Sequence, residues 1–331
     1  MIAAGATPGR AGRAWRGVAA SDGAPIYGVL ALVALVSWTA IIATGGQVNV
    51  TTTLIRSVAL GMVAVGQTLV ILGGSLDLSV AYQVSVTAVM ASHVMQGDPD
   101  RMLLGVAATV AIGIGIGLAN GLIITGLRVN PFITTLGTGL IMRGVLNASF
   151  DNFAGEVPRE FQTLGYDGIG PIPYALLLFA GVTLVVWALL KYTRFGHHLY
   201  AVGGGEETAR LSGVRSARAI VGAHVLCSLT AVLTGLFIVS RLRAGAPWVG
   251  PDGNYDLESI AAVVLGGTAL AGGRGGVLGT VAGVLILALL DNVFNALEVN
   301  TFLKQVLRGV IIVAAVAAYA RRARPRRARG A

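Results

Sequence analysis

The sequence contains little charge and a single cysteine. Asp, Glu, Lys and Arg account for only 12% of its 331 residues, whereas soluble domains average about 25%. Cys227 lies inside an apolar run, and one cysteine excludes both an internal disulfide and a cysteine-based metal cluster. We interpret this residue as part of the packing. The scarcity of charge excludes an ordinary soluble domain.

Motifs for nucleotide, metal or hydrolytic chemistry are also missing. The glycine-rich stretch 272–276 lacks the Gly-Lys-Ser/Thr of a phosphate-binding loop, so we interpret it as a tight turn. The four histidines do not have the spacing of metal ligands, and Gly-x-Ser-x-Gly does not occur. We therefore predict that the chain is not an enzyme and holds no metal or cofactor. If ATP drives this protein, another chain binds the ATP and its magnesium.

Long hydrophobic runs dominate the chain instead. Apolar residues make up 55% of it, and the mean hydropathy is +0.77. Several uncharged runs approach or pass the roughly 20 residues that a helix needs to cross a bilayer. The 47 glycines suit close packing of membrane helices. These features predict an all-α, polytopic membrane protein with about ten transmembrane helices, at 26–44, 51–72, 78–96, 102–127, 131–150, 173–190, 219–240, 257–270, 277–296 and 302–320.

The placement of charge predicts how these helices are oriented. Sixteen of the 24 Lys and Arg residues fall on the side of the N-terminus, the 192–218 loop and the tail, and ten of the 15 acidic residues fall on the other side. By the positive-inside rule, both termini and the loop are cytoplasmic. We divide the chain into a disordered basic cytoplasmic arm (1–25), a membrane domain (26–320) and a basic cytoplasmic tail (321–331) that can touch anionic lipid. This placement argues against nucleic acid as a partner.

Two patterns concern helix packing and symmetry. Gly113, Gly117 and Gly121 recur at four-residue spacing and predict a smooth helix face that packs tightly against a neighbour. The stretches Leu-Gly-Gly-Ser at 72–75 and Leu-Gly-Gly-Thr at 265–268 are faintly similar. Many transporters are built of inverted repeats, but a match of four small residues is weak evidence for one.

The longest polar interruption between two apolar runs is 192–218. Its three consecutive glycines followed by Glu206 and Glu207 predict a loop that turns into a short helix. The acidic pair would lie at the positive N-terminal end of that helix, with Arg210 within ion-pair reach. Gly213 is a natural stop. We hypothesise that this helix docks in a cleft of a partner ATPase. The alternative, which spacing alone favours, is a solvated loop between two helices.

Polar residues at membrane depth are candidates for a substrate pathway, because a charge there is costly and usually faces protein or water. Asp77 is one candidate, although a helix cap explains it equally well. The others lie on the fifth predicted helix or on one face of the ninth: Asn130, Thr134, Thr135, Thr138, Asp291, Asn292 and Asn295. The threonines can instead bond their own helix backbone, and the last three can lie at a solvated helix end. We expect Arg56, Arg143, Lys304 and Arg308 to extend to a membrane interface.

Four ordered motifs resemble the ribose-type sugar permease subunits of bacterial ABC importers, and the resemblance covers roughly residues 47–320. The matching stretches are Gly61-Met62 with I-L-G-G-S-L-D-L-S-V at 71–80, N-P-F-I-T-T-L-G-T at 130–138 with Arg143-Gly144, T-R-F-G at 193–196 with A-V-G-G at 201–204 and E-E-T-A-R-L-S-G at 206–213, and A-A-V-V-L-G-G-T with G-G-R-G-G-V-L-G-T within 257–280, followed by Asn292 and Asn295. Each motif alone is weak, and the ordered set is highly specific.

The resemblance implies a ten-helix permease of inverted-repeat architecture that works as a pair. An ABC ATPase subunit would lie on its cytoplasmic side and an extracytoplasmic sugar-binding protein on the other. The residues that would form the helix coupled to the ATPase are Gly203, Gly204, Glu206, Glu207, Ala209, Arg210, Leu211, Ser212 and Gly213. Departures from the family pattern are Gly205 for Asn, Thr208 for Ala and His197 for Arg, and Gly73, Ser75 and Ala81 for Thr, Gly and Gly around Asp77.

We therefore predict the membrane-spanning subunit of an ATP-driven importer in the bacterial inner membrane. It would move a monosaccharide such as ribose by alternating access, as the 203–213 helix moves with the ATPase. One alternative keeps this architecture with a nucleoside or amino acid as cargo. A second is an ion-coupled secondary transporter, which normally needs paired ionisable groups at mid-membrane. A third is a membrane enzyme or receptor, for which no catalytic cluster is present.

Overall fold

Helices make up nearly all of the regular structure in the computed structural model, which describes residues 24–43, 49–300, 302–310 and 313. The helices are α1 (Ala24–Ala43), α2 (Val50–Leu72), α3 (Val80–Met95), α4 (Met102–Gly126), α5 (Pro131–Ser149), α6 (Arg159–Tyr166), α7 (Tyr174–Tyr192), α8 (Arg194–Gly204), α9 (Glu206–Leu211), α10 (Ser216–Leu242), α11 (Val249–Asp252), α12 (Tyr255–Leu265) and α13 (Val277–Ala296). Residues 302–310 are also helical. The predicted tail and almost all of the predicted arm lie outside the described residues.

Five of the described helices are long and apolar enough to cross a membrane by length and composition: α2, α4, α7, α10 and α13. The helices α1 and α3 contain shorter apolar stretches. The prediction of an all-α, polytopic membrane protein is confirmed, whereas the count of ten crossings stays a prediction. Helix α12 has 11 residues, about 17 Å of helix, which is too short to cross the roughly 30 Å hydrocarbon core.

Helices α2 and α10 form the centre of the bundle. Every residue of α2 from Ser57 to Leu72 is buried, and no charged residue occurs over that length. A helix that is apolar on all sides can be enclosed by its neighbours. Accordingly α2 packs against α7, α10, α12 and α13, while α10 packs against α2, α3 and α4.

The glycine stripe on α4 packs against α10, as the four-residue spacing predicts. A Cβ added to Gly117 would lie 2.6 Å from the Cα of Val225, and one added to Gly121 would lie 2.7 Å from the Cα of Val221. At Gly113 an added Cβ would overlap the Val232 side chain. Only residues without a side chain allow the two helix backbones to approach this closely.

Hydrogen bonds group the connecting segments at two ends of the bundle. At one end, Gly273 N donates to Leu72 O at 3.0 Å and the Tyr200 hydroxyl donates to Gly275 O at 2.8 Å. At the other, the segment 154–157 pairs with 243–245, as in the 2.8 Å bond from Val157 N to Arg243 O. Segments that the charge distribution assigns to one side therefore lie at one end.

The two Leu-Gly-Gly stretches end their helices in the same way. Gly74 has φ +77° and Gly267 has φ +89°. The following residues close equivalent bonds, from Ser75 N to Val70 O at 3.0 Å and from Thr268 N to Val263 O at 3.1 Å. Both turns lie at the same end of the bundle, whereas an inverted repeat places matching segments at opposite ends. The match therefore reflects a common helix ending, and the inverted-repeat architecture stays a prediction.

Three polar stretches between the predicted membrane helices contain helices or strands that the sequence analysis did not predict. Residues 151–171 contain α6 and the first strand of a small antiparallel hairpin, Gly168–Ile169 paired with Ile172–Pro173. The 192–218 segment contains α8 in addition to the predicted short helix. The stretch 241–256 contains the four-residue helix α11.

Candidate functional site

Helix α9 projects from one end of the bundle and exposes almost all of its side chains. Glu206 and Glu207 form its first turn, and Ala209 is its buried residue. Leu211, the last residue of the helix, is 78% exposed. After the helix, Gly213 takes φ +82° and Val214 N donates to Ala209 O at 3.0 Å. The predicted short helix and its glycine stop are confirmed.

An exposed ion pair fixes the acidic turn of α9. The Arg210 guanidinium donates two hydrogen bonds to Glu207, from Nε to Oε2 at 3.0 Å and from Nη2 to Oε1 at 2.6 Å. These bonds and the charge of Arg210 lower the pKa of the Glu207 carboxyl. Glu206 makes no such pair within the described part of the chain. The helix thus presents one free carboxylate, one paired carboxylate and an apolar side chain on a short, exposed ridge.

A fully buried polar network lies inward of this end, on the turn between α2 and α3. Asp77 and His224 are both 0% exposed. The Asp77 carboxylate accepts from Ser79 N at 2.9 Å and from the Ser79 hydroxyl, and its Oδ2 lies 3.3 Å from His224 Nδ1. His224 Nε2 lies 2.9 Å from Ser75 Oγ. The Gln67 side-chain amide donates to Asp77 O at 3.3 Å and accepts from Asp77 N at 3.2 Å.

The network continues through Ser79 into α4 and α5. Ser79 Oγ accepts from Gln83 Nε2 at 2.7 Å and from Asn120 Nδ2 at 3.0 Å. Asn120 Oδ1 then accepts from the Thr138 hydroxyl at 2.7 Å. Thr135 Oγ1 accepts from Leu78 N at 3.1 Å. Five helices (α2, α3, α4, α5 and α10) and one turn therefore share a connected set of hydrogen bonds, in which Gln83 Oε1 is a buried atom without a partner among the described residues.

A cavity of about 220 Å³, with several charged and amide side chains in its lining, lies at the opposite end of α2. It is formed by the start of α2, the start of α12, the end of α13 and the 302–310 helix. The Arg308 guanidinium bridges two carboxylates there, Asp291 (Nε to Oδ1, 2.9 Å) and Glu258. Charged groups at this depth are expected to face an aqueous path or one another.

Amide side chains line the same cavity. Asn292 Nδ2 donates to Thr53 Oγ1, and Asn295 Oδ1 accepts from Lys304 Nζ at 2.6 Å. Arg56 and Tyr255 complete the polar lining. Carboxylates, guanidinium groups and amides in one small space can bind a ligand rich in hydroxyl groups through several directional hydrogen bonds. Among the described residues, no group of three or more His, Cys, Asp or Glu could hold a metal ion.

Comparison with known proteins decides the family. The model of the family "Branched-chain amino acid transport system / permease component" matches residues 49–316. The chain belongs to this permease family. It is 38% identical over 262 residues to the ribose import permease protein RbsC of Escherichia coli strain K12, covering 77% of this chain and 80% of that one. The L-arabinose transport system permease protein AraH of the same strain is 37% identical and covers 77% of each chain.

A third relative of the permease is named for the import of a different sugar. The galactose/methyl galactoside import permease protein MglC of E. coli K12 is 32% identical over 289 residues, which cover 81% of this chain and 85% of that protein. No solved structure matches the chain. The family model and these three relatives confirm the predicted resemblance to ribose-type sugar permeases.

The structure separates the permease's predicted pathway residues into three groups. Asp77, Thr135 and Thr138 take part in the buried network. Asp291, Asn292 and Asn295 line the cavity at the other end. Asn130 and Thr134 make local bonds at the start of α5, where Asn130 Oδ1 caps Phe132 N at 2.9 Å and the Thr134 hydroxyl donates to Asn130 O at 3.1 Å.

One interpretation of the permease sequence is wrong. Arg308 does not extend freely to an interface, because two carboxylates hold it beside the cavity. The residues that sequence reasoning missed are its partner Glu258 and, in the buried network, Ser75, Asn120 and His224. The last two are polar residues within long apolar runs, and that signal was available in the sequence. The sequence does not show that His224 pairs with Asp77 or that Asn120 pairs with Ser79, because these pairings depend on tertiary contacts.

Proposed function

We propose that this chain is the membrane-spanning subunit of an ATP-driven importer for a monosaccharide. The observation that carries the proposal is its similarity, over about four fifths of its length, to permeases named for ribose, arabinose and galactose. These cargoes differ in ring size and stereochemistry, and all are neutral, hydroxyl-rich monosaccharides. The cavity beside Arg308 offers hydrogen-bonding groups suited to that chemistry.

In this proposal the partner subunit hydrolyses ATP and α9 docks against it. The exposed acidic turn and Leu211 support such a role, since a short helix with charged and apolar side chains can fill a cleft. Gly203 and Gly204 precede the helix, and Ala209 anchors it to the bundle. Glu206, Glu207, Arg210, Ser212 and Gly213 are exposed there. The chain itself would carry no ATPase site.

The remaining parts of the assembly follow from the family. A second permease subunit would complete the translocation path, and an extracytoplasmic binding protein would deliver the sugar. The protein would lie in the bacterial plasma membrane with both termini and α9 in the cytoplasm, as the basic residues indicate. Sugar would enter at the cavity end, where Asp291, Asn292 and Asn295 lie, and leave toward the end that carries α9.

Reconstitution tests this function directly. The chain is purified in mild detergent with the ATP-hydrolysing subunit that accompanies it, placed in proteoliposomes and supplied with its binding protein. We expect accumulation of labelled ribose, arabinose or galactose only when ATP is present on the α9 side. Accumulation of leucine and not of sugar would show that the transported substrate is an amino acid and would overturn the choice of a sugar as cargo. Uptake driven by an ion gradient without the ATPase would overturn the mechanism.

A further inference from the structure

The segments on both sides of α9 contact one turn, residues 72–79, which joins α2 to α3. Upstream of α9, Gly203 packs so closely that an added Cβ would overlap the Leu72 carbonyl oxygen. Downstream, His224 on α10 bonds Ser75 and lies 3.3 Å from Asp77. The coupling helix is therefore joined to the same turn at both of its flanks.

At Gly203 the upstream contact is made by backbone against backbone. A Cβ at Gly272 would lie 2.9 Å from both the Cα of Gly203 and the backbone N of Gly74. Gly273 N donates to Leu72 O at 3.0 Å and ties the same backbones together. No side chain lies between the backbones of Gly203, Gly272 and Leu72, and beside them the Leu199 side chain of α8 packs against Gly73. Displacement of the end of α8 must therefore move the turn, because close-packed backbone does not compress.

From the turn, hydrogen bonds lead into helices that do not contact α9. Ser79 is the branching residue, since its hydroxyl bonds Asp77, Gln83 and Asn120. Asn120 bonds Thr138, and so joins α4 to α5. A shift of the turn thus changes the positions of partners on three helices. Gln83 and Asn120 are fully buried, where a broken hydrogen bond is costly, and Thr138 is half-buried.

We propose that the 72–79 turn receives the displacement of α9 and passes it to α4 and α5, with Gly203, Gly272 and Ser79 as positioning residues. The proposal rests on the proposed function, in which α9 docks against an ATPase. It adds the route by which docking reaches the bundle. A physical route of this kind consists of contiguous packed groups, and only measured coupling establishes it.

The chain offers a matched pair of glycines to test the backbone contact. Gly272 (φ +87°) and Gly267 (φ +89°) have the same left-handed conformation, but a Cβ at Gly267 meets nothing within 4 Å. Both alanine variants therefore incur similar backbone strain, and only Gly272→Ala disturbs the junction. We expect Gly272→Ala to retain the ATPase subunit and its hydrolysis while sugar uptake per ATP falls roughly tenfold, within the range typical of coupling between sites. Gly267→Ala should keep the native ratio of sugar uptake to ATP hydrolysis.

A second pair of variants tests Ser79 if Gly272→Ala does not insert. Ser79→Ala removes the branching hydroxyl, whereas Ser240→Ala removes a buried hydroxyl that bonds only its own helix, at Phe237 O. We expect a lower uptake-to-hydrolysis ratio for Ser79→Ala alone. Combining Ser79→Ala with Thr138→Val should lower the ratio no further than the larger single effect, because residues in one network are not additive.

The outcomes separate this route from the function itself. Native protein without an accompanying ATPase, or without ATP-dependent uptake, would overturn the proposed function and this route with it. If the native protein takes up sugar, and both Gly272→Ala and Ser79→Ala keep the native ratio of sugar uptake to ATP hydrolysis, the route is overturned and the proposed function stands. An equal fall in the ratio of sugar uptake to ATP hydrolysis in a variant and its control would also overturn the route, because it would show general destabilisation.

Discussion

At the scale of single residues, the most informative group is the buried carboxylate of Asp77. It accepts hydrogen bonds from Ser79 and lies beside His224, and all three side chains are fully buried. Removing one partner of such a group leaves the others unsatisfied in a low-dielectric interior. The helix-cap interpretation of Asp77 is wrong, because Ser79 is the N-cap residue of α3 and no described side chain bonds the first N–H groups of that helix. The Asp77 carboxylate instead bonds Ser79 within the turn and contacts His224 on α10.

The substitution Asp77→Ala should destabilise the folded permease by about 3 kcal/mol, as expected for breaking a buried charged network. Asp98→Ala is the control, since Asp98 pairs with Arg101 at the surface, where such pairs contribute about 0–1 kcal/mol. Thermal unfolding in detergent measures both. Equal shifts of the two midpoints would contradict a structural role for the buried network.

Arg308 allows a second test at this scale. Its planar guanidinium contacts Asp291 and Glu258 together, and lysine cannot reproduce that fork. Arg308→Met should leave two carboxylates side by side and lower stability by about 1–3 kcal/mol, because the site is partly open to solvent. Arg308→Lys should fall between this variant and the native chain. Unfolding midpoints in the reverse order would show that the bridge does not hold these helices.

At the scale of elements, sequence patterns located most helices and one packing surface. The range 277–296 was predicted as the structure has it, and the glycines of α4 pack on α10 as expected. Helix α8 was missed because its composition is mixed. Its buried residues, Leu199 and Val202, gain their apolar partners only in the folded bundle. Periodicity within a segment cannot report a partner about 130 residues away.

Candidate residues show the same limit. Asp77 could be selected from the sequence because a charge between apolar runs is exceptional. Its contact with His224 joins residues separated by 147 positions. The bridge from Arg308 to Glu258 spans 50 positions. Local sequence gives the kind of residue and its helix, while the pairings depend on how helices of the bundle pack.

Helix α9 yields a prediction at the element scale. Replacing Glu206 and Glu207 together by alanine removes the acidic turn and the partner of Arg210, but leaves the buried anchor Ala209 in place. We expect normal insertion and folding, with sugar uptake uncoupled from ATP hydrolysis. The control is Glu160→Ala, an exposed acidic residue in the first turn of α6 at the opposite end. Unchanged transport in the double variant would contradict docking through α9.

At the scale of the whole molecule, the property to test is the orientation of the bundle in the membrane. The bundle has two ends, and the basic residues predict that the end with α9 is cytoplasmic. Native Cys227 is fully buried and is the only cysteine, so an impermeant thiol reagent should find little native target. A cysteine introduced at an exposed position therefore reports its own side of the membrane.

We expect Glu207→Cys to react with the reagent only in inside-out vesicles, because the basic residues predict that α9 faces the cytoplasm. Glu160→Cys, on α6 at the other end of the bundle, should react only in intact cells or right-side-out vesicles. The two positions are each other's control, since both are exposed and each lies in the first turn of a short helix. Labelling of position 207 from outside would show that the molecule has the opposite orientation in the membrane. An ATPase in the cytoplasm could then not reach α9.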